Sequence, residues 1–402
     1  MTHLGSTITP SVVPHFPIGA TVTQAQLSHD PYAVFQRLRP TEPVTWAPAL
    51  GQWLVTNRDL AMEVLRDPDR YRTDEETSPI RDTFGPQMLN TEGDVQRRYK
   101  LACAPTFNAR AVEDSRAMVQ GIVDARARAL PRAGVVELRT AYAAPIAVST
   151  IARVIGLPEA MDERLRDWYD TFADALVNYA RDDATRTRAH AAVLAFRAAI
   201  APRLAAPDAG ERTLLASLAR AYPRLLDDRE IGSNALIVLF GGIETTEALI
   251  ANALWAILTH PAAHARARAS DADLDRCIEE SLRWEPAVQT CTRYVPDAAL
   301  LHGVAIPRGA VVQVMLGAMN RDPAHFAIPE RFDPWRTESV VHTAFGFGRH
   351  FCLGAALARL EARLAIRRLF DDWPALALDD RRSLPPSGHE FRKPGALVVG
   401  LG

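Results

Sequence analysis

Phe345-Gly346-Phe347-Gly348-Arg349-His350-Phe351-Cys352-Leu353-Gly354 decides how the rest of this 402-residue chain is read. One cysteine sits on a loop between glycines. An apolar-periodic run follows, Ala355-Ala356-Leu357-Ala358-Arg359-Leu360-Glu361, and continues as helix to about Phe370. Glycine tolerates positive φ and lets the backbone approach something flat and bulky. Amide N–H groups of a glycine-rich turn and of a helix start point toward the sulfur and favour thiolate over thiol. Such a sulfur is a nucleophile, a soft metal ligand or a buried structural cysteine. His350, two residues away, is near enough to act as a base in the first of these.

Composition narrows the field. Hydrophobic residues make up 48% of the chain and charged residues 23%, which is globular. A net charge of −2 supplies no global drive toward nucleic acid or an anionic membrane, so neither partner is expected. Cys103, Cys277, Cys291 and Cys352 show no C-x-x-C spacing, against zinc sites and disulfide frameworks and for reduced thiols in a cytoplasmic chain. The polar N-terminus lacks the basic and apolar regions of a signal peptide. The longest apolar run, Ala235 to Ile243, is too short to span a bilayer.

A second stretch lies about a hundred residues upstream. Asp227 followed by Glu230 starts a helix as a capping box, and Pro261 stops it after His260. Roughly thirty residues at 1.5 Å each span about 45 Å, the width of a domain. Inside it lies Gly241-Gly242-Ile243-Glu244-Thr245-Thr246. Two mid-helix glycines cost about 1 kcal/mol each, so something should offset them. The spacing predicts that the Thr245 hydroxyl bonds the Gly241 carbonyl and opens a groove, with an alcohol and a buried carboxylate side by side. A close helix crossing with a satisfied glutamate would use the same residues.

The remaining order is coarse. Residues 1–30 read as an irregular lead-in, Pro31 to Arg39 as a helix, and Val44–Trp46 with Trp53–Val55 as a hairpin. Residues 71–90 read as a long loop, and Gly93 to Cys103 as a basic helix with Arg97, Arg98 and Lys100. Residues 109–221 are almost all helix. Trp168, Tyr169, Phe172, Leu176 and Tyr179 stripe one face there. Glu280 and Arg283, at i and i+3, pair on a helix ahead of Pro329-Glu330-Arg331-Phe332. Short strands follow at 304–306, 311–315 and 397–400, and Phe391 lies in a closing hairpin.

The F-x-x-G-x-H-x-C-x-G loop, the Glu244-Thr245 pair, Glu280–Arg283 and the Arg331 segment, in this order and spacing, resemble the cytochrome P-450 family, the haem-thiolate monooxygenases, over roughly residues 31–402. The resemblance implies one mainly α domain with a small β-rich side (α+β), a triangular helical prism around one haem b. It makes Cys352 the axial iron ligand on a loop shaped by Phe345, Gly346 and Gly354, with Gly241 and its groove above. Glu244 and Thr245 become a proton relay, and Arg293, His350 and Arg98 hold propionates. Arg98 is chosen because this chain has Gln96 and Lys100 where many members carry His and Arg. Glu280, Arg283 and Arg331 form a folding cluster. Leu239, Ile243, Val288, Gln289 and Thr290 line a pocket for a small, largely apolar or aromatic substrate. One atom of O2 would enter that substrate, with electrons from a separate ferredoxin and ferredoxin reductase delivered to a monomer at a face holding Arg97, Lys100, Arg359 and Arg363. A peroxygenase using H2O2, or a non-catalytic haem sensor, would share the loop.

Overall fold

Asp227 opens the central helix as the sequence predicts. Its side chain accepts from the Glu230 amide while the Glu230 carboxylate accepts from the Asp227 amide, and the helix runs unbroken over Asp228–Leu258. It is buried on nearly every side, and 72% of its most apolar window lies inside the molecule. The computed structural model describes residues 16–176, 182–206, 212–222 and 224–402. Tyr179, part of the expected aromatic stripe, lies outside them. Trp168, Tyr169 and Phe172 of that stripe are buried in the main core.

The main core forms where the long helix crosses Ala144–Ile155 and lies against Ala355–Asp372, the helix that follows the cysteine loop. The two helical glycines separate here. A Cβ on Gly242 would fall 2.5 Å from Ile151 Cγ1, so this glycine permits the crossing. A Cβ on Gly241 would meet nothing within 4 Å. The close crossing and the open groove are both present, one residue apart.

The β side is small. Its four-stranded sheet runs, edge to edge, Val44–Ala47, Gln52–Val55, Val311–Met315 and Thr290–Tyr294. Only the two inner strands, Gln52–Val55 and Val311–Met315, run parallel to each other. Gly134–Glu137, inside the span that reads as almost all helix, is a strand paired with Val398–Leu401. Leu384–Ser387 and Lys393–Ala396 make the closing hairpin. Two irregular stretches contain helix: Gln24–His29 within the expected lead-in, capped by Thr23, and Pro79–Phe84 within the expected long loop.

The helix Asp271–Trp284 anchors the coil that leads to the cysteine loop. Glu280 receives Arg283 at 2.7 and 2.8 Å, both side chains being buried. Its second guanidinium comes from Arg336 at 2.8 Å, not from Arg331. Arg331 is exposed and pairs with Asp333. Its place in the cluster is taken by its carbonyl, which accepts from Arg283 at 3.0 Å. One residue earlier, Glu279 accepts from His342 at 3.1 Å and from both forks of Arg359, whose guanidinium lies 4.6 Å over the Phe345 ring.

Two outcomes follow from this helix. Arg336→Leu, leaving a buried carboxylate short of a partner, should lower the unfolding free energy by about 3 kcal/mol. Arg331→Leu should change it by under about 0.5 kcal/mol. Urea denaturation compares them, and equal losses would return Arg331 to the cluster. Burial alone would raise the Glu279 carboxyl, but bonds from His342 and Arg359 prevail and hold it at about 2 against an ordinary 4.5. A depressed carboxylate stabilises the fold fully above its unfolded value and loses that share as pH falls from 4.5 toward 2. Glu279→Gln should therefore flatten the acid limb of a stability-against-pH curve; an unchanged slope would contradict the pairing.

Candidate active site

Gly346 and Gly348 adopt φ of 73° and 69°, a conformation that glycine alone takes freely, and fold the loop back on itself. The Cys352 amide then donates to the Phe345 carbonyl at 2.9 Å, closing the loop just before the helix that starts at Ala355. Burial pushes the Cys352 thiol pKa up, while the Gly354 amide, Lys100 and Arg359 pull it down without prevailing. The amides and cations expected to favour thiolate are present, and desolvation outweighs them. Cys352 nevertheless keeps accessible surface, as does Gly241 in the middle of a buried helix. Both therefore present surface that no other part of the described chain covers.

On the long helix, the Thr245 hydroxyl donates to the Gly241 carbonyl at 2.5 Å, i to i−4. Glu244 takes a hydrogen bond from the Tyr169 hydroxyl and an ion pair from Lys393 at 3.3 Å. Lys393 also reaches Glu247 at 3.0 Å, which Arg139 meets at 3.0 Å. Burial first, and Glu244 second, drive the Tyr169 pKa far above its ordinary value, so this phenol remains a proton donor. Leu239 and Ile243 do not share the groove. At about 100° per residue each lies on the far side of the helix from Gly241. Both are buried in the main core. Val238, half-buried, is on the Gly241 side.

The opposite wall is aromatic. Phe240 stacks on Tyr169 (5.2 Å between centroids) and meets Phe391 and Phe84 at 6.1 and 5.9 Å. Val288 is bridged to Phe391 across the hairpin tip. Thr290 is buried on the sheet, but Gln289 points elsewhere: its amide donates to the Pro286 carbonyl at 2.8 Å beside Tyr32 and Gly317. Strand alternation turns it away from its neighbours. Sequence reading missed Phe240, Phe84, Tyr169 as a partner of Glu244, and Lys393. Only the aromatic stripe signalled any of them.

Of the three expected propionate anchors, Arg98 is misplaced. Its guanidinium is bidentate to Glu230 at 2.7 and 2.9 Å and lies over the Tyr99 ring, on the other face of its helix. Gln96 and Lys100, at i and i+4, face the cysteine loop instead. Gln96 donates to the Arg349 carbonyl at 3.0 Å, and Lys100 to the Arg349 and Phe351 carbonyls at 2.7 and 3.0 Å. His350 meets Glu92 at 3.0 Å, both side chains buried. Burial would raise Glu92, but His350, Thr73 and Arg349 hold it below the usual carboxylate range. Arg293 is 6% exposed, donates to the Thr292 carbonyl at 2.8 Å, and makes no ion pair among the described residues.

A haem requires a flat space, a soft ligand on one side, and cations for two propionates. The open side of Gly241 and the uncovered Cys352 supply the first two, and the buried, carboxylate-free Arg293 supplies a cation. The residues fit the group. Residues 273–386 match the family model for Cytochrome P450. Cytochrome P450 monooxygenase PikC of Streptomyces venezuelae is 34% identical over 392 residues, covering 94% of this chain and 91% of the relative. 6-Deoxyerythronolide B hydroxylase of Saccharopolyspora erythraea is 32% identical over 383 residues, 88% and 93% of the two chains. Among solved structures, P450BioI with a fatty-acyl carrier protein superposes with a TM-score of 0.84 at 28% identity, over 94% of this chain and all of that one. A cysteine-bearing glycine loop, an open helix groove and relatives of this extent agree: the chain belongs to the cytochrome P450 family and is a haem b monooxygenase.

Proposed function

We propose that Cys352 would ligate the haem iron, that Arg293 would hold a propionate, and that Glu244 and Thr245 would hold and pass protons at the open face of the long helix. The observation that carries this reading is the exposed Cys352 on a glycine-shaped loop that its own amide closes onto the Phe345 carbonyl. When bound, the haem supplies dioxygen activation at iron. The remaining work falls to side chains. Lys100 and Gln96, from the helix facing the loop, stand where a second anchor is needed, and His350 takes part together with Glu92. Thr245 keeps an exchangeable hydroxyl proton at the open face of the helix, and Glu244 beside it can give and regain protons. An intact acid–alcohol pair supports O2 rather than peroxide as oxidant.

The aromatic wall of Phe84, Phe240 and Phe391, with Val288, supports a mid-sized, mostly apolar substrate held by few polar contacts. Residues 31–402 form one catalytic unit, which acts as a cytoplasmic monomer and takes electrons from a ferredoxin and its reductase. Arg359 and Arg363 are neutralised by Glu279 and Asp275, so Arg97, exposed on the basic helix, is the cation left to meet an acidic donor.

The reduced protein under carbon monoxide should give a strongly red-shifted Soret band, lost in Cys352→Ala. Arg293→Leu should keep the band but release haem at least about tenfold faster, as expected for a lost charge-assisted bond. A band indifferent to Cys352→Ala would overturn the assignment. Arg97→Glu should slow reduction by ferredoxin severalfold at low salt and little at high salt; an unchanged rate would move the docking face elsewhere.

A further inference from the structure

Glu244 and Glu247 lie at i and i+3 on one helix face, where two carboxylates repel. A single ammonium, Lys393, spans them at 3.3 and 3.0 Å. Arg139 serves only Glu247. Lys393 is one of two lysines in the chain and opens the second strand of the closing hairpin. Two residues earlier on the same extended backbone, Phe391 is bridged to Val288 and packs on Phe240. Phe240 stacks on Tyr169, whose hydroxyl donates to the other oxygen of Glu244. The substrate-facing aromatics and the carboxylate are therefore fastened to one piece of chain from two directions.

We propose that Lys393 is a positioning residue for Glu244, tying the closing hairpin to the relay carboxylate so that the hairpin's seating against the aromatic wall sets where that carboxylate lies. The inference rests on the relay reading above and extends it to a residue remote in sequence. The charged and titratable groups around Glu244 are Tyr169, with Asp170 beside it on the same helix, Lys393 from the hairpin, Glu247 on its own helix and Arg139 beyond Glu247. Lys393 is the cation that reaches Glu244. Without it, the carboxylate keeps the Tyr169 hydroxyl but loses the tie to the hairpin and the screen against Glu247.

The test uses the haem-loaded protein and two variants, Lys393→Met and Lys393→Arg. The Glu244 carboxylate stretching band is assigned in infrared spectra by its loss in Glu244→Gln and separated from Glu247 by Glu247→Gln. In Lys393→Met that band should shift in frequency at fixed pH, because the ammonium that met one of the two carboxylate oxygens is gone. Peroxide released per product formed should rise at least about twofold. Lys393→Arg should restore both. Lys393→Gln takes the place of the methionine variant if that chain does not fold. An unmoved Glu244 carboxylate band overturns the proposal whatever the turnover does, and so does an arginine variant as uncoupled as the methionine one. Absence of the red-shifted carbon monoxide band in the unaltered protein would instead remove the haem-thiolate reading beneath it.

Discussion

A helix buried on almost every side must leave one place where something other than protein can reach its backbone, and Gly241-Gly242 is where the long helix does so. The two glycines answer different demands. Gly242 is forced by Ile151, whose side chain occupies the space a Cβ would need. Gly241 is not crowded at all, since a Cβ there would meet nothing within 4 Å. Each glycine costs about 1 kcal/mol relative to alanine. The close packing at Ile151 offsets one. The other is a cost borne by the site, since the Thr245 hydroxyl also withdraws toward the Gly241 carbonyl and not toward solvent.

Around that helix the interior is fixed by saturated carboxylates. Glu280 takes Arg283 and Arg336, and Glu285 takes Arg392, Arg321 and the Tyr32 hydroxyl. Glu244 and Glu247 share Lys393 and draw in Arg139. Buried pairs of this kind add little net stability against well-packed apolar residues, but they admit few alternative arrangements. Glu280 pins the coil before the cysteine loop through Arg336, and Glu285 and Glu244 pin the start of the closing hairpin's second strand through the adjacent Arg392 and Lys393. Loops that would otherwise wander are set against the helices within bond-length tolerance.

What could be read from the sequence follows from how local the cause is. The capping box at Asp227, the Thr245–Gly241 bond and the glycine-shaped turn at Cys352 each arise within a few residues, and the structure reproduces all three. Arg98 failed for a reason the sequence already held. Gln96 and Lys100 share a helix face, and Arg98 lies about 200° from Gln96, toward Glu230. The same phase argument removes Leu239 and Ile243 from the groove, and strand alternation removes Gln289. Arg336 displaced Arg331 because the irregular coil between them turns one side chain in and the other out, which no periodicity encodes. Lys393 beside Glu244, and Gly134–Glu137 beside Val398–Leu401, are tertiary facts with no local signal.

The buried arginines make the last step. Arg283, Arg321, Arg336 and Arg392 each reach a carboxylate, and Arg58 gives hydrogen bonds to the Met319 and Val341 carbonyls. Arg293 is as buried as these, yet its one hydrogen bond is to the carbonyl of its own neighbour in the strand. A guanidinium carries five donors and a charge that cannot be shed by deprotonation, so leaving it in this state is costly. The carboxylate near the cysteine loop, Glu92, is already committed to His350, Thr73 and Arg349. Among the described residues no carboxylate pairs with Arg293. That unanswered charge is what supports the proposal that Arg293 holds a haem propionate.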